Sequence, residues 1–121
     1  MHKPFRLTDR LRSFRFAFRG LLVMLRSQHN AWIHLLATAI VFAVAGFLGV
    51  SKLEWCCLVL AIVSVWTAEA LNTAFEFLAD VASPEFHPLV EQAKDVAAGA
   101  VLITAAGALV IGFLVLIPYF I

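Results

Sequence analysis

Three apolar stretches, each long enough to cross a bilayer, constrain this chain more than any other feature. Residues 31–50 read AWIHLLATAIVFAVAGFLGV, with His34 as the one strongly polar member. Twenty residues rising about 1.5 Å each match a hydrocarbon core of about 30 Å. A second stretch runs from about residue 53 to 81. A third runs from about 89 to 117 and is apolar from Val96 onward. Residues 51–54 read as a tight turn between the first two. A Ser-Pro-Glu-Phe-His-Pro loop divides the second from the third, because Pro84 and Pro88 prevent the helix from continuing. With 121 residues, 63% hydrophobic and 14% charged, the chain has room for one domain and too little polar surface for a soluble one. The expected fold is an all-α membrane protein, a single domain over 1–121.

Residues 5–26 predict a further helix of another kind. Leu7, Leu11, Phe14, Phe18, Leu21, Leu22 and Leu25 keep the 3.6-residue period and form one stripe, flanked by Arg12, Arg15, Arg19 and Arg26. A basic amphipathic helix of this pattern lies in the headgroup plane. The Arg residues are interspersed with the apolar ones rather than preceding them, so the segment does not read as a cleavable signal peptide. Phe16 falls opposite the stripe, either as a stray exposed aromatic or as a contact to a ligand or a neighbouring helix. Seven of the nine Lys and Arg residues precede residue 27. By the positive-inside rule the N-terminal helix and the 82–94 loop are cytoplasmic, while the 51–54 turn and the C-terminus are outside. Trp32, Trp55 and Tyr119 then fall near the interfaces, as aromatic belts require. The net charge of +1 gives no reason to expect a nucleic-acid partner. Cys56 and Cys57 are helix neighbours about 100° apart and read as packed or lipid-facing thiols, not as a disulfide.

The second long helix begins as a plain span and then turns polar. Glu69, Asn72, Glu76 and Asp80 are spaced by 3, 4 and 4 residues and fall within about 80° of arc. Like charges stacked on one helix face repel, so the three carboxylates imply a cation, a proton or a basic partner. Asp80 alone is accounted for as a solvated helix end. Glu69 is not, because of its depth. If Trp55 marks the outer interface, Glu69 lies about 21 Å along the helix, about 9 Å short of the inner boundary, and Glu76 lies at that boundary. A carboxyl inside hydrocarbon is costly and reads as functional by default. One helix face therefore offers a base at headgroup depth and a carboxylate beside the cytosol. The third stretch adds Glu91, Lys94 and Asp95 just before its apolar run. Lys94 is the only Lys or Arg after residue 52, and is either a salt-bridge partner for the carboxylates or a phosphate ligand. Asn30, His34 and Thr38 share a stripe near the same end, where His34 alone reads as an interhelical hydrogen-bond partner. No GxxxxGK[ST], GxGxxG or HEXXH motif is present. Composition and spacing thus reach a cation-binding site at the inner leaflet, with phosphate as an open second ligand.

Residues 68–102, AEALNTAFEFLADVASPEFHPLVEQAKDVAAGAVL, closely resemble the signature region of the prokaryotic diacylglycerol kinase family. The E-x-x-N-[ST]-x-x-E-x-x-x-D pattern followed by AKD-x-x-[AS] is highly specific to it. The resemblance extends to NAWIH at 30–34 and to the basic N-terminal helix up to Gly20, and so spans nearly the whole chain. The Asn30-x-x-x-His34 pair and the SPEFHPL loop are most similar to the undecaprenol kinase branch.

The resemblance implies a homotrimeric helical bundle in the bacterial plasma (inner) membrane, with active sites shared between subunits on the cytoplasmic side. It implies ATP as phosphate donor, Mg²⁺, and direct transfer to a lipid alcohol. On the matching positions, Glu69 would accept the alcohol proton and Asn72 would orient the reacting groups. Glu76 would ligate Mg²⁺, and Lys94 would bind the ATP phosphates with Asp95 alongside. Glu85 and His87 would lie near the nucleoside, and Phe16 would lie beside adenine. One departure stands out. Many members carry Glu as a second metal ligand where this chain has Gln28, whose amide oxygen can ligate Mg²⁺ but brings no charge. The expected activity is phosphorylation of undecaprenol, with diacylglycerol as the alternative acceptor. A proton-coupled transporter using Glu69 would have no need of Lys94 and Asp95, and a non-catalytic assembly subunit would leave Glu69 unexplained.

Overall fold

The computed structural model describes residues 2–121. Four helices follow one another: α1 (Leu7–Ser27), α2 (His29–Leu48), α3 (Lys52–Ala82) and α4 (Pro88–Leu116), the last closed by a short 3₁₀ turn, Ile117–Tyr119. No strand occurs among the described residues. Three of the helices, α2, α3 and α4 with its 3₁₀ extension, are long and apolar enough to cross a membrane.

The helix ends follow from local chemistry. Gln28 breaks α1 from α2 as a single residue with extended backbone, φ −119° and ψ 119°. Gly49 ends α2 in the left-handed region at φ 67°, where a residue without Cβ fits, and its N–H and that of Val50 both donate to the Ala45 carbonyl. The 51–54 segment is not a free turn. Ser51 and Glu54 form a capping box, the Glu54 N–H donating to Ser51 Oγ and the Ser51 N–H to the Glu54 carboxylate, so α3 already begins at Lys52. Such a cap is worth about 1 kcal/mol. At the next connection Pro88 takes the first helical position of α4, where a missing N–H is harmless. His87 caps the helix by accepting the Leu89 N–H at Nδ1, 3.1 Å.

Successive long helices run antiparallel, with the C-terminal ends of α2 and α4 beside the start of α3, and the two ends of the bundle differ. At one end Ala45, Val50 and Leu58 form a small apolar core against Trp55, Val115 and Leu116, and the Tyr119 hydroxyl donates to Glu54 across it. The opposite end is polar. Few side chains are buried elsewhere. α4 has none, and large apolar side chains such as Phe47, Leu102, Ile103 and Leu114 are exposed. An exposed apolar surface of this extent suits lipid or another copy, not water. Met24 is the one buried residue of α1, whose apolar stripe lies open along Leu7, Leu11, Phe14 and Phe18. Cys56 and Cys57 are free thiols.

Candidate active site

The polar end gathers the last four turns of α3, the first turns of α2, the α1–α2 junction and the start of α4. Because α3 is one unbroken helix from Lys52 to Ala82, the spacing of Glu69, Asn72 and Glu76 does put them on one face. Their surroundings differ by depth. Glu69 is 1% exposed and Asn72 8%, Glu76 is half-buried, and Asp80 is exposed.

Each carboxylate meets a different neighbour. Glu69 Oε2 lies 3.4 Å from His34 Nε2 on α2, in reach but outside hydrogen-bonding geometry. Glu76 Oε2 accepts a 3.0 Å hydrogen bond from Gln28 Nε2. The extended backbone at Gln28 places this amide at the helix junction, which is why a residue 48 positions away reaches Glu76. Asp80 is more than a solvated helix end. Its Oδ1 takes the Lys94 ammonium at 3.1 Å, so in the structure Lys94 is a salt-bridge partner. This exposed pair contributes little to stability and leaves Lys94 free to exchange partners.

The backbone carbonyl and the imidazole of His34 each meet a neighbour. Thr38 Oγ1 donates to the His34 carbonyl at 2.7 Å and accepts the Trp66 indole N–H at 3.0 Å. The Trp66 ring stands edge-on to the imidazole, 6.3 Å between centroids. Trp66 carries no signal in the carboxylate pattern. The physical clue to it was its indole N–H in an apolar span, which has to find an acceptor, and Thr38 lies at matching depth on the neighbouring helix. Thr73, the [ST] position of the signature pattern, folds its hydroxyl back to donate to the Glu69 carbonyl.

Four buried polar atoms make no hydrogen bond within the chain: His34 Nε2, both Glu69 carboxylate oxygens and Asn72 Oδ1. An unsatisfied buried group costs about 1–3 kcal/mol, and native structures rarely collect several in one place. Such a cluster suits a polar ligand that gives up or shares a proton. Beside it an apolar groove of about 520 Å³ starts at His34, Thr38 and Trp66 and follows α2, α3 and α4 to Leu58 and Phe120.

The remaining sequence candidates stand apart from this cluster. Asp95 is exposed on α4 next to Lys94, and Glu85 and His87 are exposed in the 83–87 loop. Phe16 is 61% exposed on α1, with the Arg19 guanidinium 5.7 Å above its ring. Among the described residues, no three His, Cys, Asp or Glu side chains converge to hold a metal unaided.

Comparison with known proteins gives this arrangement a family. Residues 15–116 match the model for prokaryotic diacylglycerol kinase. A Bacillus subtilis protein named undecaprenol kinase is 36% identical over 107 residues, covering 88% of this chain and 87% of that protein. A Synechocystis protein named diacylglycerol kinase is also 36% identical over 107 residues, but the match spans only 61% of its length. A Helicobacter pylori diacylglycerol kinase is 28% identical over 106 residues, covering 82% of this chain and 83% of its own. The matched region contains α2, α3 and α4 and with them the whole polar cluster, and the chain belongs to the prokaryotic diacylglycerol kinase family.

Proposed function

We propose that the protein is an ATP- and Mg²⁺-dependent kinase of a membrane lipid alcohol, with undecaprenol as the acceptor, acting at the cytoplasmic face of the bacterial inner membrane. The observation that carries this is the unpartnered set at Glu69, Asn72 and His34. A lipid hydroxyl entering there at headgroup depth would supply the missing hydrogen-bond partner. The apolar groove leading away from His34 supports a long hydrocarbon chain on the same molecule.

In the proposed reaction the lipid oxygen attacks the γ-phosphorus of ATP. The bond to the β–γ bridging oxygen breaks, ADP leaves, and the lipid monophosphate remains. Glu69 takes the hydroxyl proton, and Asn72, one turn along the same face, orients the reacting groups. Lys94 releases Asp80 to bind the phosphates, with Asp95 beside it. Glu85, His87 and Phe16 flank the nucleoside. Phosphoryl transfer depends mainly on positioning and on neutralising charge, so a base at Glu69 and a cation at Lys94 divide the work along α3 and α4.

Glu76 and Gln28 fit as Mg²⁺ ligands, because they bring one carboxylate and one amide to the same point, and a turn of the Gln28 amide would present its Oε1 in place of the Nε2 that faces Glu76. Mg²⁺ characteristically takes one or two protein ligands and completes its shell with phosphate and water. When bound it would offset the negative charge of the phosphates. Gln28→Glu restores a charged ligand and sets two carboxylates face to face. The variant is expected to melt at lower temperature without Mg²⁺ and to reach half-maximal activity at roughly tenfold lower Mg²⁺. An unchanged Mg²⁺ dependence in both measurements removes Gln28 from the metal site.

A homotrimer with shared sites is part of the same proposal, as is α1 lying amphipathically on the membrane surface. In support, α4 buries no residue within its own chain, and a Cβ at Gly99, Gly107 or Gly112 would meet nothing within 4 Å. The acceptor is tested by presenting undecaprenol and diacylglycerol side by side with γ-labelled ATP. Undecaprenol is expected to give the higher kcat/KM. The opposite order would make the protein a diacylglycerol kinase.

A further inference from the structure

We propose that His34 is a positioning residue for the kinase reaction: its imidazole steers the Glu69 carboxylate, engaging Oε2 so that Oε1 is the oxygen left for the lipid hydroxyl. The inference rests on Glu69 as the base and adds a residue to that site. Both Glu69 oxygens are buried, and neither makes a hydrogen bond. His34 Nε2 lies beside Oε2, at 3.4 Å. Without that neighbour the carboxylate would be free to turn among its rotamers, because terminal carboxylate torsions are broad.

The imidazole is confined on one side by a neighbouring ring, and its Nε2 makes no hydrogen bond within the chain. Thr38 ties the backbone at His34 to the Trp66 indole, and the Trp66 ring closes one edge of the imidazole. These contacts join α2 to α3 at the depth of Glu69. His34 also forms the polar mouth of the apolar groove, so one side chain touches both the path of the lipid chain and the base. A 3.4 Å separation leaves a few tenths of an ångström to close, as catalytic contacts do when the substrate complex forms.

The test uses the full chain in detergent micelles with γ-labelled ATP and, in parallel, undecaprenol or diacylglycerol. His34→Ala is expected to lower kcat by about 10²-fold, the scale of a misplaced catalytic group, with KM for ATP and for acceptor little changed. His34→Gln, whose amide nitrogen occupies the position of Nε2, is expected to recover most of that loss. In a Glu69→Gln background His34→Ala should have little further effect, because the group it positions no longer acts as a base. Normal kcat in His34→Ala, equal losses in the Ala and Gln variants, or additive losses in the double variant would each overturn the proposal. Should His34→Ala lose helix content, His34→Leu refills the volume without ring nitrogens and is read against the same outcomes. Failure of the base assignment is separately visible, as wild-type turnover in Glu69→Gln alone.

Discussion

Glu69→Gln is expected to lower phosphoryl transfer by about 10²-fold or more while leaving the helices folded. The side chain is almost fully buried, and neither carboxylate oxygen has a hydrogen bond. The amide keeps the shape and removes the proton acceptor. It also relieves like-charge repulsion along the helix face shared with Glu76. Burying a neutral amide costs less than burying a charge. The melting temperature should therefore hold or rise while kcat falls, and nucleotide binding should persist. A coupled fall in stability and turnover would instead mean that Glu69 is structural.

Glu76→Gln should fail differently. Glu76 is half-buried, two helical turns from Glu69, and accepts a hydrogen bond from the Gln28 amide. Its replacement leaves two amides facing each other and no charged oxygen for a divalent cation. Losing even a residue that only supports a metal ligand costs about 10–100-fold in affinity or activity, and losing a charged ligand itself should cost at least about 10²-fold in turnover. Nucleotide binding should become independent of Mg²⁺. The contrast is the prediction: Glu69→Gln retains metal-dependent nucleotide binding, and Glu76→Gln loses it. Titrating ATP with and without Mg²⁺ into both variants measures it. If the two variants behave alike, the division of roles along α3 is wrong.

The helices were legible in the sequence because each end has a local cause. Apolar length gave the spans, and Pro84 and Pro88 marked the break between the second and the third. Ser51 and Glu54 had the spacing of a capping box, yet read as a turn, since the polar residues between two spans look like a connection from either side. The face holding Glu69, Asn72 and Glu76 was legible for the same reason, because i, i+3 and i+4 spacing on a continuous helix fixes direction. What periodicity could not supply was pairing between helices. Gln28 with Glu76, Thr38 with Trp66, and Lys94 with Asp80 are joined across 48, 28 and 14 residues, and each depends on how antiparallel helices register. For Lys94 the spacing allows two roles, and the structure shows the salt bridge. Phe16 stays away from the cluster because α1 meets the rest of the chain only near its C-terminal end, at Met24 and the Gln28 junction.

The most direct measurement follows the label itself. Purified protein is mixed with Mg²⁺, γ-labelled ATP and undecaprenol, and the lipid is extracted into organic solvent. Label should appear in the extracted lipid with the wild-type chain and remain in the aqueous phase with Glu69→Gln, although both bind ATP. Label that stays aqueous with the wild-type chain, for undecaprenol and diacylglycerol alike, would contradict lipid kinase activity at this site.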